Sequence, residues 1–235
     1  MYNITHISTC HSEQGKCNSD ELYKIIEYIN PDVIFQELSS KLFDFYYSNS
    51  FDRFYINRIL QNQRPPYVYL EVICVKKYLQ SHNIKLPVPV DIDICLLSKK
   101  QRDDMFATFL KNKDYKKLFE DMSLLMTLEG FDYLNSDKCI DLIEQMKIIG
   151  KNIVELEINK DMYCIYKLFY EEDNIRENAM LENIYNFSKE NQYNQAVFLI
   201  GAGHRKSIMK KITEYEKISE IKLNWSYGNK QKTSR

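Results

Sequence analysis

The sequence predicts an α/β fold: a central, mostly parallel sheet flanked by helices, with a helical insertion and lid in the middle of the chain. Three observations carry that expectation. Strand, helix and strand patterns follow one another over about the first 40 residues. A strand, a glycine turn and a helix recur between 195 and 215, and residues 98–189 are mostly helical in pattern. The 235 residues are read as one α/β domain over 1–228, ending in a flexible tail at 229–235.

Taken in order, Tyr2–Ser8 alternates as a strand, and Thr9 to Gly15 is a polar loop closed by glycine. Asn18-x-x-Glu21 has capping-box spacing, and Leu22, Ile25, Ile26 and Ile29 form one helical stripe that Asn30-Pro31-Asp32 ends. Val33-Ile34-Phe35 is a continuous apolar run, the pattern of a strand covered on both faces, and completes a strand-helix-strand unit. Helical spacing returns over Tyr67–Ser81, followed by a strand at Pro87–Ile94. Its two prolines place that strand at an edge or start it only at Val90. Ile153–Ile158 reads equally as strand or helix. Ala196–Ile200 is a buried strand, Gly201-Ala202-Gly203-His204 a tight turn, and Ile208, Ile212 and Tyr215 a helical stripe. Leu223, Trp225 and Tyr227 alternate as a last strand.

Composition narrows the function. Thirty-two Lys and Arg against 33 Asp and Glu leave a net charge of −1, so nothing global suggests a nucleic-acid binder. No apolar run reaches the ~18–20 residues of a membrane span. The first basic residue is Lys16 and no apolar segment follows it, so a cytoplasmic location is the expectation. The six cysteines form no Cys-x-x-Cys pair and are read as reduced core residues.

In a parallel sheet, ligands gather beyond the carboxyl ends of the strands. His11 follows the first strand, Glu37 ends the second, Asp91 and Asp93 end the proline-rich one, and His204 follows Ala196–Ile200. His6 and His82 are read as structural. Arg176 lies one turn before Met180 on the stripe that continues through Ile184 and Phe187, so its guanidinium either faces inward, where it needs a carboxylate or an anion, or snorkels at the helix start. Glu71 is a similar case beside Leu70 and Cys74.

These residues resemble the TraB/TIKI and erythromycin-esterase-like superfamily. Ser8-Thr9-Cys10-His11 resembles its opening Gly-x-x-His turn, with Ser8 where the superfamily usually has glycine. Asn30–Leu38 is similar to its strand ending in glutamate. Glu71 and Val90–Asp93 are similar to its helix glutamate and aspartate strand. Ile175–Met180 is similar to its Arg-Asp/Asn-x-x-Met helix, and Gly201–His204 to its second Gly-x-x-His. The order is the same over about residues 2–215. The resemblance implies a hydrolase-like site, metal-dependent in the TIKI proteases and without an established metal in the esterases, while other relatives bind haem or have no assigned chemistry. His11, Glu37 and His204 then form a ligand set for a divalent ion such as Mn, Zn or Co, whose bound water becomes the nucleophile. Without a metal, one histidine acts as general base, Glu37 orients it, and Arg176 stabilises the oxyanion.

The leading expectation is therefore a hydrolase of a small-molecule or peptide ester or amide. His11, Glu37, Arg176 and His204 form its catalytic set, and Glu71, Asp91, Asp93, Gly201 and Gly203 bind substrate. The alternative is a non-catalytic protein that binds an anion, phosphate or haem, using Gly201–Gly203 and the following helix N-terminus with His204, Arg205 and Lys206. A third reading, a structural protein that has inherited the fold without its activity, requires histidines turned away from one another.

Overall fold

The computed structural model describes residues 2–61, 68–82, 87–156 and 160–228. Five strands form one all-parallel sheet: β1 (Tyr2–Thr9), β2 (Val33–Ser39), β3 (Val88–Asp91), β4 (Gln195–Gly201) and β5 (Leu223–Tyr227). Their spatial order is β3-β2-β4-β1-β5. The protein is thus α/β, with a more uniform sheet than the sequence pattern requires. β4, drawn from the far end of the chain, lies between β1 and β2, so the first strand-helix-strand unit does not pair its own strands.

The apolar run of β4 follows from this central position. Val197 and Leu199 pack on one face with Leu22 and Ile26 of α1 (Ser19–Ile29) and Leu70, Cys74 and Tyr78 of α4 (Leu70–Ser81). Ala196, Phe198 and Ile200 pack on the other, against Met180, Leu181 and Ile184 of α9 (Lys160–Glu190) and Ile208 and Ile212 of α10 (Arg205–Ile218). A strand buried on both sides has no solvent-facing position and loses its alternation; each large side chain it buries contributes ~1.5–3 kcal/mol.

Local signals set the ends. The Asn18 side chain accepts the N–H groups of Asp20 and Glu21, and Asn30 closes α1 in the left-handed region at φ 49°. β3 starts at Val88 and is the edge strand, which accommodates Pro89 within it. α4 begins at Leu70; Tyr67 lies outside the described residues, as do Ile158 and the expected tail at 229–235. The ambiguous 153–158 segment is helical through Leu156.

The helical block is α5 (Lys99–Phe109), α6 (Lys113–Glu129), α7 (Phe131–Leu134), α8 (Asp137–Leu156) and the long α9. It has its own core, including Met105, Phe109, Tyr115, Met146 and Val154. Two further helices, α2 (Ser40–Tyr46) and α3 (Asn49–Leu60), follow β2 where the sequence pattern assigns nothing. Their apolar residues are not one-sided: Phe51 is buried, whereas Phe45, Phe54 and Ile56 are exposed. All six cysteines are free, and Cys95 and Cys164 are exposed rather than core residues. Among the described residues no helix is long and apolar enough to cross a membrane.

Candidate active site

Register brings the strand ends level. Thr9 pairs with Gly201, Gln36 with Leu199, and Ser39 with Asp91. His11, Glu37, Asp91, Asp93, Arg176, Gly201, Gly203 and His204 consequently line one cavity of about 710 Å³ at the carboxyl edge of the sheet. Residues almost two hundred positions apart meet because β4 sits between β1 and β2.

Glu37 and Arg176 form the centre. Arg176 donates from Nη2 to Glu37 Oε1 at 2.6 Å and grips Asp91 through Nε and Nη2 at 2.6–3.2 Å, with Asp173 3.7 Å from Nη1. The inward guanidinium thus has the carboxylate partners its burial demands. The second oxygen of Glu37 accepts the Gly201 N–H at 2.6 Å. A Cβ on Gly201 would stand 3.3 Å from Glu37 Oε2 and 3.5 Å from His11 Nε2, so the glycine permits this close approach. Burial raises the Glu37 pKa, but the charges of His204, His11 and Arg176 outweigh it and hold the carboxyl well below the usual range.

Each histidine carries a carboxylate on Nδ1. His11 Nδ1 is 3.3 Å from Glu71 Oε1, its ring lies 4.8 Å from Tyr69, and its carbonyl accepts the Leu70 N–H at the start of α4. Thr9 Oγ1 donates to the same Glu71 oxygen. His204 Nδ1 is 2.8 Å from Glu177 Oε1, and its Nε2 is 3.4 Å from Glu37. The other Glu177 oxygen accepts from Ser207 Oγ at 2.5 Å and from Lys211 at 3.0 Å. Burial opposes the charged form of both rings, but these carboxylates prevail. His204 is raised to about 10, and His11, whose side chain is 43% exposed, to about 9. Five carboxylates (Glu37, Glu71, Asp91, Asp173, Glu177) surround two fixed cations (Arg176, Lys211), and two imidazolium charges reduce that excess.

Several expected roles look different at this geometry. Glu71 does not line the main cavity but buttresses His11, and Asp91 is engaged with Arg176, so both position other groups. Asp93 is exposed at the cavity and accepts from Ser39 Oγ at 2.6 Å. Gly203 lines the cavity with open space where a Cβ would stand. The set His11, Glu37 and His204 is not a preformed metal cage, because both Glu37 oxygens are already taken by Arg176 and the Gly201 N–H. Among the described residues no group of three or more His, Cys, Asp or Glu side chains could hold a metal ion.

The anion site expected at the α10 N-terminus also differs. Arg205 is buried and donates to His6 Nδ1, Ser8 Oγ and Asn135, and Lys206 pairs with Glu144 at 2.9 Å. Ser8 Oγ thus accepts from Arg205 at 3.3 Å. His6 is buried within β1, and His82 stacks on Tyr78 at 4.0 Å, both structural placements. Glu177 and Asp173 are the residues that sequence reasoning missed. Their signal was present: Asp173, Arg176, Glu177, Met180 and Ile184 share one helical stripe, and charges on an apolar stripe ask for partners.

No protein-family model, curated protein or solved structure matches the chain.

Proposed function

We propose that the protein is a metal-independent hydrolase of esters or amides, with membership of the TraB/TIKI and erythromycin-esterase-like superfamily as part of the proposal. One observation carries it: two histidines, each with a carboxylate on Nδ1, face a shared buried glutamate and an arginine inside one large cavity. A carboxylate on Nδ1 fixes the tautomer and leaves Nε2 for proton transfer, the orienting device of histidine-based hydrolysis.

His11, the more exposed ring, is the general base. Its neutral form takes a proton on Nε2 as water oxygen bonds to the acyl carbon. His204, held as imidazolium between Glu37 and Glu177, returns a proton to the leaving oxygen or nitrogen as its bond to the acyl carbon breaks. Arg176 provides fixed positive charge beside the developing oxyanion. Glu37 holds His204 and Arg176 in mutual position, and Glu71 orients His11.

This assignment requires His11 uncharged and His204 charged. Activity against a panel of esters and peptides should rise with pH towards about 9 and fall beyond about 10. His11→Ala and His204→Ala should each lower kcat/KM ~10²–10⁴-fold, with chelators leaving the wild-type rate unchanged. Hydrolysis untouched by both substitutions would remove the proposal, and activity that appears only with added Mn, Zn or Co would replace its metal-free mechanism.

A further inference from the structure

The cavity continues past the polar cluster into the helical block, where its walls change character. Met105 and Phe109 of α5, Met122 and Met126 of α6, Met146 of α8 and Phe169 of α9 line it. Four of the chain's eight methionines therefore face one space. Polar edge and apolar end together make up the cavity of about 710 Å³, a size within the range of small-molecule sites, which are lined mainly by apolar side chains with a few placed polar groups. The charged groups among its walls are paired: Arg102 donates through Nη2 to Glu172 at 2.7 and 2.9 Å, the buried Glu172 also accepts the Leu96 N–H, and Lys147 pairs with Glu144 at 3.2 Å. Each of these charges therefore has its counter-ion within the protein. Thioether side chains are unbranched and polarisable, which suits them to an extended, variable apolar chain.

We infer that the substrate is an uncharged amphiphile whose scissile carbonyl sits at the His11–His204 edge and whose apolar acyl chain fills the methionine chamber. The inference rests on the hydrolase reading for the word scissile, but the chamber itself can be tested without turnover. Each methylene buried in such a wall raises affinity about fourfold, from the transfer free energy of a CH₂ group.

Two measurements separate the ideas. In the first, kcat/KM is followed for 4-nitrophenyl esters from acetate to dodecanoate; it should rise about fourfold per methylene and level off when the chamber is full. In the second, uncharged 2-alkanones of increasing length displace Nile red from wild type and from His11→Ala, and the same fourfold step should appear in both. Met122→Trp and Met146→Trp, which fill the chamber, should move the plateau to shorter chains, while Met122→Leu and Met146→Leu keep it. A graded displacement series without hydrolysis overturns the hydrolase and leaves the chamber standing. Hydrolysis with no dependence on chain length, or alkanones that displace nothing, overturns the chamber whatever the Trp variants do.

Discussion

Two buried histidines in this protein have opposite charge states. His6, in the middle of β1, has Arg205 as its neighbour; burial and that guanidinium push its pKa down to about 3, so it is neutral. His204, at the carboxyl edge, is almost as buried but lies between Glu37 and Glu177, which lift it to about 10. Burial alone penalises the charged form in both places. The sign of the neighbouring charge decides the outcome, and only the carboxylate-rich edge can keep an imidazolium for chemistry.

The two arginines test this contrast most severely. Arg176→Met takes the guanidinium from two buried carboxylates, leaving Glu37 with His204 and the Gly201 N–H and Asp91 without a cation at its oxygens, and should lower stability by about 3–5 kcal/mol in urea unfolding at neutral pH. Arg205→Met removes a buried charge whose acceptors, His6, Ser8 and Asn135, are neutral, and should lower stability by about 1–2 kcal/mol. Equal losses would mean that the edge is not held together by its ion pairs. Glu177→Gln sharpens the contrast: it weakens one side of His204 and should remove about 1.5–3 kcal/mol at neutral pH.

Titration gives the same contrast with opposite slopes. His204 binds its proton more tightly folded than unfolded, so its contribution is complete below about 6.5 and is lost as pH rises towards about 10. His6 binds its proton less tightly when folded, so stability falls as pH drops below about 6.5. Each group contributes a slope of at most about 1.4 kcal/mol per pH unit. His11 adds to the alkaline limb in the same sense, moderated by its exposure to solvent. Glu177→Gln should flatten the alkaline limb, and His6→Gln, which keeps an acceptor for Arg205, should flatten the acid limb above the range where carboxylates titrate. A single limb that responds to both substitutions would break the distinction.

What was legible in the sequence follows the same physics. β1, β2, β4 and α1 declare themselves because each buries a regular face: Leu22 and Ile26 on one stripe, Ala196–Ile200 on two sides of a sheet. The edge residues were legible because carboxyl ends of parallel strands converge whatever the strand order. Glu177 and Asp173 were obscured by a helix whose charges look like a solvated face until Arg176 fixes which side is inward. The chamber was not visible because the apolar residues between 98 and 189 serve two surfaces, their own core and the cavity, and a single stripe cannot separate them. The central place of β4 was equally hidden, since it depends on pairing between distant segments.

The smallest effect isolates the closest packing at the edge. Gly201 and Gly203 flank one residue in the same turn, and neither has a positive φ, so space alone distinguishes them. A methyl on Gly201 meets Glu37 and His11, and Glu37 cannot move aside without loosening Arg176 or the Gly201 N–H that it accepts. Gly201→Ala should therefore lower stability by about 1 kcal/mol, the mild end of overpacking, and, on the proposed mechanism, lower kcat more than it changes KM, because the methyl displaces the base His11 and the Glu37 that positions His204. Gly203→Ala adds its methyl to open space and should leave stability within about 0.5 kcal/mol of wild type. Thermal unfolding and steady-state kinetics of the pair read both effects. If Gly201→Ala proves as silent as Gly203→Ala, then Glu37 and His11 do not crowd the Gly201 backbone, and the close packing at this edge is lost as an argument.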